Sequence, residues 1–199
     1  MNSLTADERS ALEPATFWIR AGARLIDYAV IFFIMFVTMA VAAFVGTVFQ
    51  ASLFLEALES DTRLINWLFG VLTVISYHTM FEGVAGSTIG KQLTGLQVIS
   101  NDSDRVTMKQ AFLRSVGFVG DAFFFGAVGA AKMRDNAHQQ RHGDEWADTR
   151  VVRRASLPAR FYTHGFDMLA AGMAAFFVTL MMLLLQHTVE YLLLLNKQS

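Results

Sequence analysis

Three long apolar stretches, separated by polar segments, dominate the chain. The first has no charged residue from Tyr28 to Phe49, the second has none from Leu64 to Phe81, and the third runs from Met168 to Leu195. At about 1.5 Å per residue the first covers about 33 Å, which is enough to cross a hydrocarbon core of about 30 Å. The pattern therefore predicts membrane-spanning helices over residues 25–49, 64–81 and 166–190.

A fourth apolar segment, 111–131, is a weaker prediction for a span. It contains Arg114 and Asp121 and is interrupted by glycines, which form helices poorly. The next interval, Lys132 to Arg160, has seven basic and four acidic residues. A span over 111–131 would place this basic interval outside, against the positive-inside rule. We therefore expect segment 111–131 to be membrane-embedded or interfacial, with the N-terminus cytoplasmic and the C-terminus outside; four plain spans are the alternative.

Short strand patterns lie in the polar segments. Leu96 to Ile99 alternates apolar and polar positions, and a turn sequence follows at 101–104. The returning strand is predicted either over 150–153 or over 106–108. The predicted fold class is an all-α membrane protein with three, or alternatively four, transmembrane helices, a Gly-rich membrane-embedded or interfacial segment, and a small cytoplasmic β-hairpin or strand pair.

One carboxylate lies inside the start of the first span. Asp27 there costs free energy unless it finds a partner, and Arg24 and Arg20 precede it by three and seven positions, so all three side chains share one helix face. In one interpretation both arginines are interfacial anchors and Asp27 is merely neutralised by Arg24. In the other, Asp27 faces a protein interior or a wet cavity and takes part in function.

The glycine-rich stretch after the second span has part of the pattern of a phosphate-binding loop. Gly90-Lys91 resembles part of that motif, but Ala85 stands in place of its first glycine and Gln92 in place of the Ser or Thr that would bind magnesium. Nucleotide binding is therefore not predicted. Gly86 and Gly90, four positions apart, instead permit close backbone approach.

Composition excludes several other classes. The chain has no cysteine, so thiolate chemistry and disulfides are excluded. His138, His142, Asp144 and Glu145 could be assembled into a metal site, but an HxxxH pattern on a polar helix is usually a solvated face. No nucleophile–base arrangement is evident. We therefore expect no enzyme activity, no metal and no cofactor.

The motifs together resemble the RDD family of integral membrane proteins. Arg20 and Asp27, the Gly86–Val98 stretch with Gly90 and Lys91, Arg114, and residues 140–152 correspond to the family pattern. Two departures are Gly143, where the family often has His, and Arg150 in a usually apolar strand. The resemblance maps the second family aspartate to Asp144, with Asp121 as the other candidate. It divides the chain into a polar segment (1–16), an RDD-like membrane domain (17–154) and an additional C-terminal transmembrane helix (155–199).

The resemblance implies a bacterial plasma (inner) membrane protein, with transport, including cation or proton exchange, as the first functional hypothesis. The spacing of Arg20 and Asp27 recurs in Arg114 and Asp121. In this hypothesis the two aspartates exchange protons or bind a cation, and the two arginines adjust how readily they do so.

The alternative is a non-catalytic scaffold or accessory subunit of a larger membrane complex. The charged pairs would then be structural, and small-residue faces, Gly86/Gly90 and Ala170/Ala174, would pack on a partner. We expect the lipid bilayer and either a homo-oligomer or another membrane protein as partners, and no nucleic acid.

Overall fold

A computed structural model of the protein describes residues 3–48, 63–103, 105–121, 127–134 and 136–198. The helices, in chain order, are α1 (Ala6–Ser10), α2 (Phe17–Val48), α3 (Arg63–Ala85), α4 (Ile89–Leu93), α5 (Met108–Asp121), α6 (Ala127–Arg134), α7 (His142–Trp146) and α8 (Gly165–Gln198). The strands are β1 (Leu96–Ser100) and β2 (Thr149–Arg153), and two 3₁₀ turns, Arg154–Ser156 and Ala159–Phe161, follow β2.

Among the described residues, three helices are long and apolar enough to cross a membrane: α2, α3 and α8. This confirms the prediction of three spans. Each helix is longer than the predicted span, because helical structure continues past the apolar stretch into polar residues. The outward face of α2 carries Phe32, Phe36 and Phe44, which are largely exposed in the isolated chain. Such an apolar surface is suited to lipid.

Helix α3 lies between α8 and α5. Tyr77 and Phe81 of α3 are buried with Ile31 of α2 and with Ala171 and Ala175 of α8. The two alanines are four residues apart, so they lie on one face of α8 and let its backbone approach the aromatic rings closely.

The two strands pair antiparallel, with Leu96 opposite Arg153 and Ser100 opposite Thr149. This confirms the predicted pairing of segments near 96–99 and 150–153. The other candidate, 106–108, forms no strand with β1: Val106 packs into the core and Met108 begins α5. Every residue of β1 is buried, so the small sheet is covered on both faces.

The N-terminal segment is attached to this sheet. The backbone amide of Ala15 donates to the carbonyl of Val151 at 2.9 Å, and Pro14 bridges with Val152. These contacts fix the start of α2 beside β2.

The Gly-rich segment 111–131 comprises most of α5 and the first part of α6, while 122–126 lie outside the described residues. Helix α5 begins at a capping box, in which the Gln110 amide donates to Thr107 Oγ1 and the Thr107 amide donates to Gln110 Oε1. It then packs along α3 and α7.

Candidate functional site

Ionisable side chains converge at one end of the helical bundle. The start of α2 and the end of α3 lie at this end; α4 packs against α2, α5 packs against α3, and α7 packs against α5. We call the following residues the charged cluster: Arg20, Arg24, Asp27, His78, Glu82, Lys91, Arg114, Arg141 and Asp144. Its three carboxylates are almost fully buried, at 1% exposure for Asp27, 2% for Glu82 and 0% for Asp144. Charges removed from water to this degree require close partners.

Asp144, in α7, is surrounded by arginines. Arg20 Nη1 lies 2.6 Å from Oδ2, and Arg114 Nη1 lies 2.8 Å from Oδ1. The backbone amide of Arg141 donates to Oδ2 at 3.2 Å, and its Nη2 lies 3.8 Å from Oδ1. Burial alone would raise the pKa of Asp144, but the guanidinium groups of Arg114, Arg141 and Arg20 together hold it well below its usual range.

Glu82, at the end of α3, is the functional candidate that the sequence analysis missed. Arg114 Nε donates to its Oε2 at 2.8 Å, and Lys91 Nζ forms a short ion pair with its Oε1. Arg114 also donates to Thr149 Oγ1 at 2.7 Å, so one guanidinium joins α3, α7 and β2. The available signal was position: Glu82 directly follows the second apolar run, nine residues before Lys91.

The pKa directions at Lys91 and Arg114 differ although both cations contact Glu82. For Lys91, burial lowers the pKa and the attraction of Glu82 opposes that change only in part. For Arg114, burial lowers the pKa, but the attraction of Asp144 and Glu82 outweighs it and the net direction is upward. Two carboxylates thus stabilise the charge on Arg114.

The predicted pairing of Asp27 with Arg24 is corrected by the structure. The Asp27 carboxylate accepts hydrogen bonds from Tyr77 Oη at 2.9 Å, Thr88 Oγ1 at 2.7 Å and the backbone amide of Gly90 at 2.7 Å. The reason is that the start of α4 brings the Thr88 hydroxyl and the Gly90 amide to Asp27, whereas Arg24 contacts His78 and the Phe118 ring. Asp27 faces the protein interior and is held by donors from α3 and the start of α4, so the interpretation that Arg24 merely neutralises it is wrong.

Arg24 contacts an aromatic ring and a histidine. Its guanidinium carbon lies 3.6 Å from the centroid of the Phe118 ring, and its Nη1 lies 2.5 Å from His78 Nε2. Arg141 lies 5.3 Å from the same ring centroid. Two guanidinium groups therefore share the π system of Phe118. The predicted partner of Arg20 is likewise corrected, since Arg20 pairs with Asp144 rather than with Asp27.

Gly90 must be a glycine for steric reasons. A Cβ there would overlap the carbonyl oxygen of Ala23 and lie 2.9 Å from Asp27 Cγ. Gly86 adopts φ +66 in the turn between α3 and α4, and its carbonyl accepts from the Val98 amide at 2.8 Å. The Gly86/Gly90 face is thus used for packing within the chain, which corrects the expectation that it meets a partner.

Gly143, where the family often has His, also lies at a close contact. A Cβ on Gly143 would lie 2.9 Å from the Arg114 carbonyl oxygen and 3.3 Å from Gly117 Cα. Helices α5 and α7 therefore meet backbone to backbone. This contact places Asp144 directly beside the Arg114 side chain.

The predicted pair of Arg114 with Asp121 is not the arrangement among the described side chains, where Arg114 contacts Glu82, Asp144 and Thr149. Asp121 ends α5, and its side chain lies outside the described residues. Of the two candidates for the second family aspartate, Asp144 is the one seen beside Arg20. In the described ranges, no three His, Asp or Glu side chains come together as metal ligands.

The chain matches the family model described as the RDD family over residues 14–148. No curated protein and no solved structure matches it. The matched region contains every residue of the charged cluster and ends before β2 and α8. Because this match covers well over half of the 199 residues and the chain carries three apolar spanning helices, the protein is an integral membrane protein of the RDD family.

Proposed function

We propose that the chain is a structural membrane module, acting as a scaffold or accessory subunit, and that the charged cluster locks its polar cap onto its spanning helices. The polar cap is the unit formed by α4, α5, α7 and the two strands. The observation that carries the proposal is that each of the three buried carboxylates is held by at least two donors: Asp27, Glu82 and Asp144.

Asp27 holds α4 in place. Its three donors come from α3, from the residue before α4 and from α4 itself, so one carboxylate ties three segments together. Protonation of Asp27 would weaken at least one of these hydrogen bonds, because a carboxyl group has less acceptor capacity than a carboxylate. A group that cycled through protonation would loosen the cap at every cycle. This favours a structural role over proton carriage at Asp27.

The surrounding charge also disfavours a cation site at this end. Arg20, Arg24 and Lys91 line one cavity together with Asp27, and three cations around one carboxylate repel a further cation. The cation-exchange hypothesis in its original form, with Asp27 as the binding residue, is therefore the weaker one.

Orientation follows from the same charges. The described arginines of the cluster lie at one end of the bundle, and the positive-inside rule supports placing that end in the cytoplasm of a bacterial plasma membrane. The N-terminus would then be cytoplasmic.

Reconstitution separates the structural proposal from transport. Purified protein in liposomes with an internal pH dye and imposed sodium or potassium gradients is expected to move no more protons than empty liposomes. Asp27→Asn is expected to lower the yield of folded protein and the recovery of any complex in mild detergent. Asp102→Asn, the same change at an exposed turn, is the matched control. Proton movement by the wild type that a folded Asp27→Asn protein lacks would refute the proposal.

A cavity between the spanning helices favours one other candidate function, which is cation or proton exchange away from Asp27. A space of about 250 Å³ lies between α2, α3 and α8 towards the other end of the bundle. It is lined by the hydrogen-bonded side chains of His187 and Glu190, whose Nδ1 and Oε2 atoms are 2.9 Å apart, and by Thr38 and Thr73. Ionisable residues enclosed between spanning helices mark ion pathways in many membrane proteins. The same liposome assay with Glu190→Gln tests this candidate, which requires flux in the wild type and its loss in the variant.

A further inference from the structure

A cavity of about 390 Å³ lies beside the charged cluster, between the N-terminal part of α2, the C-terminal end of α5, and helices α4 and α6. Its polar wall is strongly basic, since Arg20, Arg24, Lys91 and Arg141 line it together with one carboxylate, Asp27. The oxygens of Asp27 already accept three hydrogen bonds from neutral donors. The carboxylate therefore offers little compensation to the four cations.

The charge balance of the described residues leaves two of these cations weakly compensated. Lys91 pairs with Glu82 and Arg20 pairs with Asp144. Within the part of the chain that the structure describes, no carboxylate forms an ion pair with Arg24, and Arg141 reaches Asp144 only at 3.8 Å. In addition, Nε of Arg141 is buried without a hydrogen-bond partner. Partly desolvated guanidinium groups in this state favour an anionic ligand.

The shape of the two guanidinium groups indicates which anion. Arg24 and Arg141 both approach the ring of Phe118, which restrains their orientation. Planar guanidinium groups bind phosphate oxygens through paired N–H donors, and a restrained pair loses little side-chain entropy on doing so. A phosphate group is therefore the ligand chemistry that this wall fits best.

Two exposed apolar side chains of α2 form part of the cavity wall. Leu25 and Tyr28 line it, and they are 72% and 41% exposed on the outer face of α2, the helix that continues into the membrane. Trp18, seven residues before Leu25 and also exposed, is typical of the headgroup region. The cavity is thus basic inside and apolar at its mouth, at the level where lipid phosphates lie.

We propose that this cavity binds the phosphate-bearing headgroup of an anionic phospholipid, with Arg24 and Arg141 as the principal phosphate ligands. The proposal does not depend on the structural function proposed above, because a lipid site is compatible with a scaffold or with a transporter. In this proposal, a lipid of the membrane itself compensates the excess positive charge of the cluster.

Binding can be measured on the full chain, purified in detergent and stripped of lipid. Native mass spectrometry and thermal unfolding would be followed during titration with short-chain phosphatidylglycerol, with phosphatidylcholine of equal chain length, and with inorganic phosphate alone. We expect saturable stabilisation by phosphatidylglycerol, at least about tenfold weaker binding of phosphatidylcholine, and no effect of inorganic phosphate at matched concentration.

Variants locate the site. Arg24→Gln and Arg141→Gln should each weaken phosphatidylglycerol binding about tenfold or more, as for the loss of a charge-assisted hydrogen bond. Arg134→Gln, the same change at an exposed position on α6, should stay within about twofold of the wild type. Leu25→Trp, at the mouth of the cavity, should also weaken binding without removing a charge, which keeps the test valid if either arginine variant fails to fold.

Three results would overturn the proposal. Equal binding of both lipids, or equal weakening by Arg134→Gln, would show that the interaction is not confined to this cavity. Binding of inorganic phosphate alone, with full competition against the lipid, would assign the site to a free anion. Unchanged binding in Leu25→Trp together with unchanged binding in the arginine variants would place the lipid elsewhere.

Discussion

Replacing Gly90 by alanine tests whether the close approach of α4 to α2 holds the polar cap together. The added Cβ would overlap the Ala23 carbonyl oxygen and lie 2.9 Å from Asp27 Cγ. Both obstacles are in the packed interior, and the nearer one is backbone. Neither can move aside as the end of a flexible side chain would, so α4 itself must shift away from α2.

The expected cost has two parts. Overpacking in a rigid interior typically costs about 1–3 kcal/mol. The shift would also lengthen the 2.7 Å hydrogen bond from the Gly90 amide to Asp27, and a hydrogen bond to a charged group contributes about 1.5–3 kcal/mol. The helical preference of alanine over glycine returns about 0.5–1 kcal/mol. We therefore expect a net loss of about 2–5 kcal/mol in the free energy of unfolding.

Thermal unfolding in detergent, followed by tryptophan fluorescence, measures this loss. At about 2–4 °C per kcal/mol for a chain of this size, the melting temperature should fall by roughly 4–20 °C. Gly22→Ala is the matched control, because it lies in α2 next to Ala23 and its added Cβ meets nothing within 4 Å. Equal melting temperatures for the two variants would refute the reasoning about α4.

Three further predictions rest on the same cluster. The pKa of Asp144 in the folded protein lies well below its unfolded value of about 4, so the Asp144 carboxylate contributes its full stabilisation above pH 4 and loses it as the pH falls further. The melting temperature should therefore decrease between pH 6 and pH 3, and a constant melting temperature would contradict this prediction. Arg114→Lys keeps the charge but loses the bridge between two carboxylates, so it should destabilise by about 1.5–3 kcal/mol while the exposed Arg153→Lys changes little in the same melt. In the chain, which has no cysteine of its own, an impermeant maleimide should label Ser60→Cys but not Ser103→Cys in intact cells, and the reverse pattern would contradict the proposed orientation.

The spans and the strand pairing could be predicted because they depend on local patterns. Long uncharged runs identify membrane helices, and two short alternating segments on the same side of the membrane have few other partners. The residues at which the helices begin and end were harder to predict. Helix α2 begins at Phe17, well before the apolar run, because Arg20 can be buried in a helix when another segment supplies Asp144. That information is absent from the local pattern.

The partners in the charged cluster could not be predicted from spacing. Arg24 lies one helical turn before Asp27, yet Asp27 binds donors 50, 61 and 63 positions away. Residues on the same helix face compete for a carboxylate with every group that tertiary packing brings near it. Here the backbone amide of a glycine approaches the Asp27 carboxylate more closely than the long arginine side chain does. Glu82 was missed because nothing in its own segment marks it as the partner of Arg114.

The distance along the chain between Arg20 and Asp144 has a consequence for biosynthesis. The two residues are 124 positions apart. At about 5–20 residues per second, a ribosome needs roughly 6–25 s to make the second after the first. During that interval the first helix is in or at the membrane with Arg20 lacking its final partner, while Asp27 can meet its own donors once residue 90 has been made. The first helix to be inserted is thus among the last to acquire all its tertiary contacts. We expect nascent chains shorter than about 145 residues to depend on the insertion machinery or on headgroup phosphates to hold this helix in the membrane.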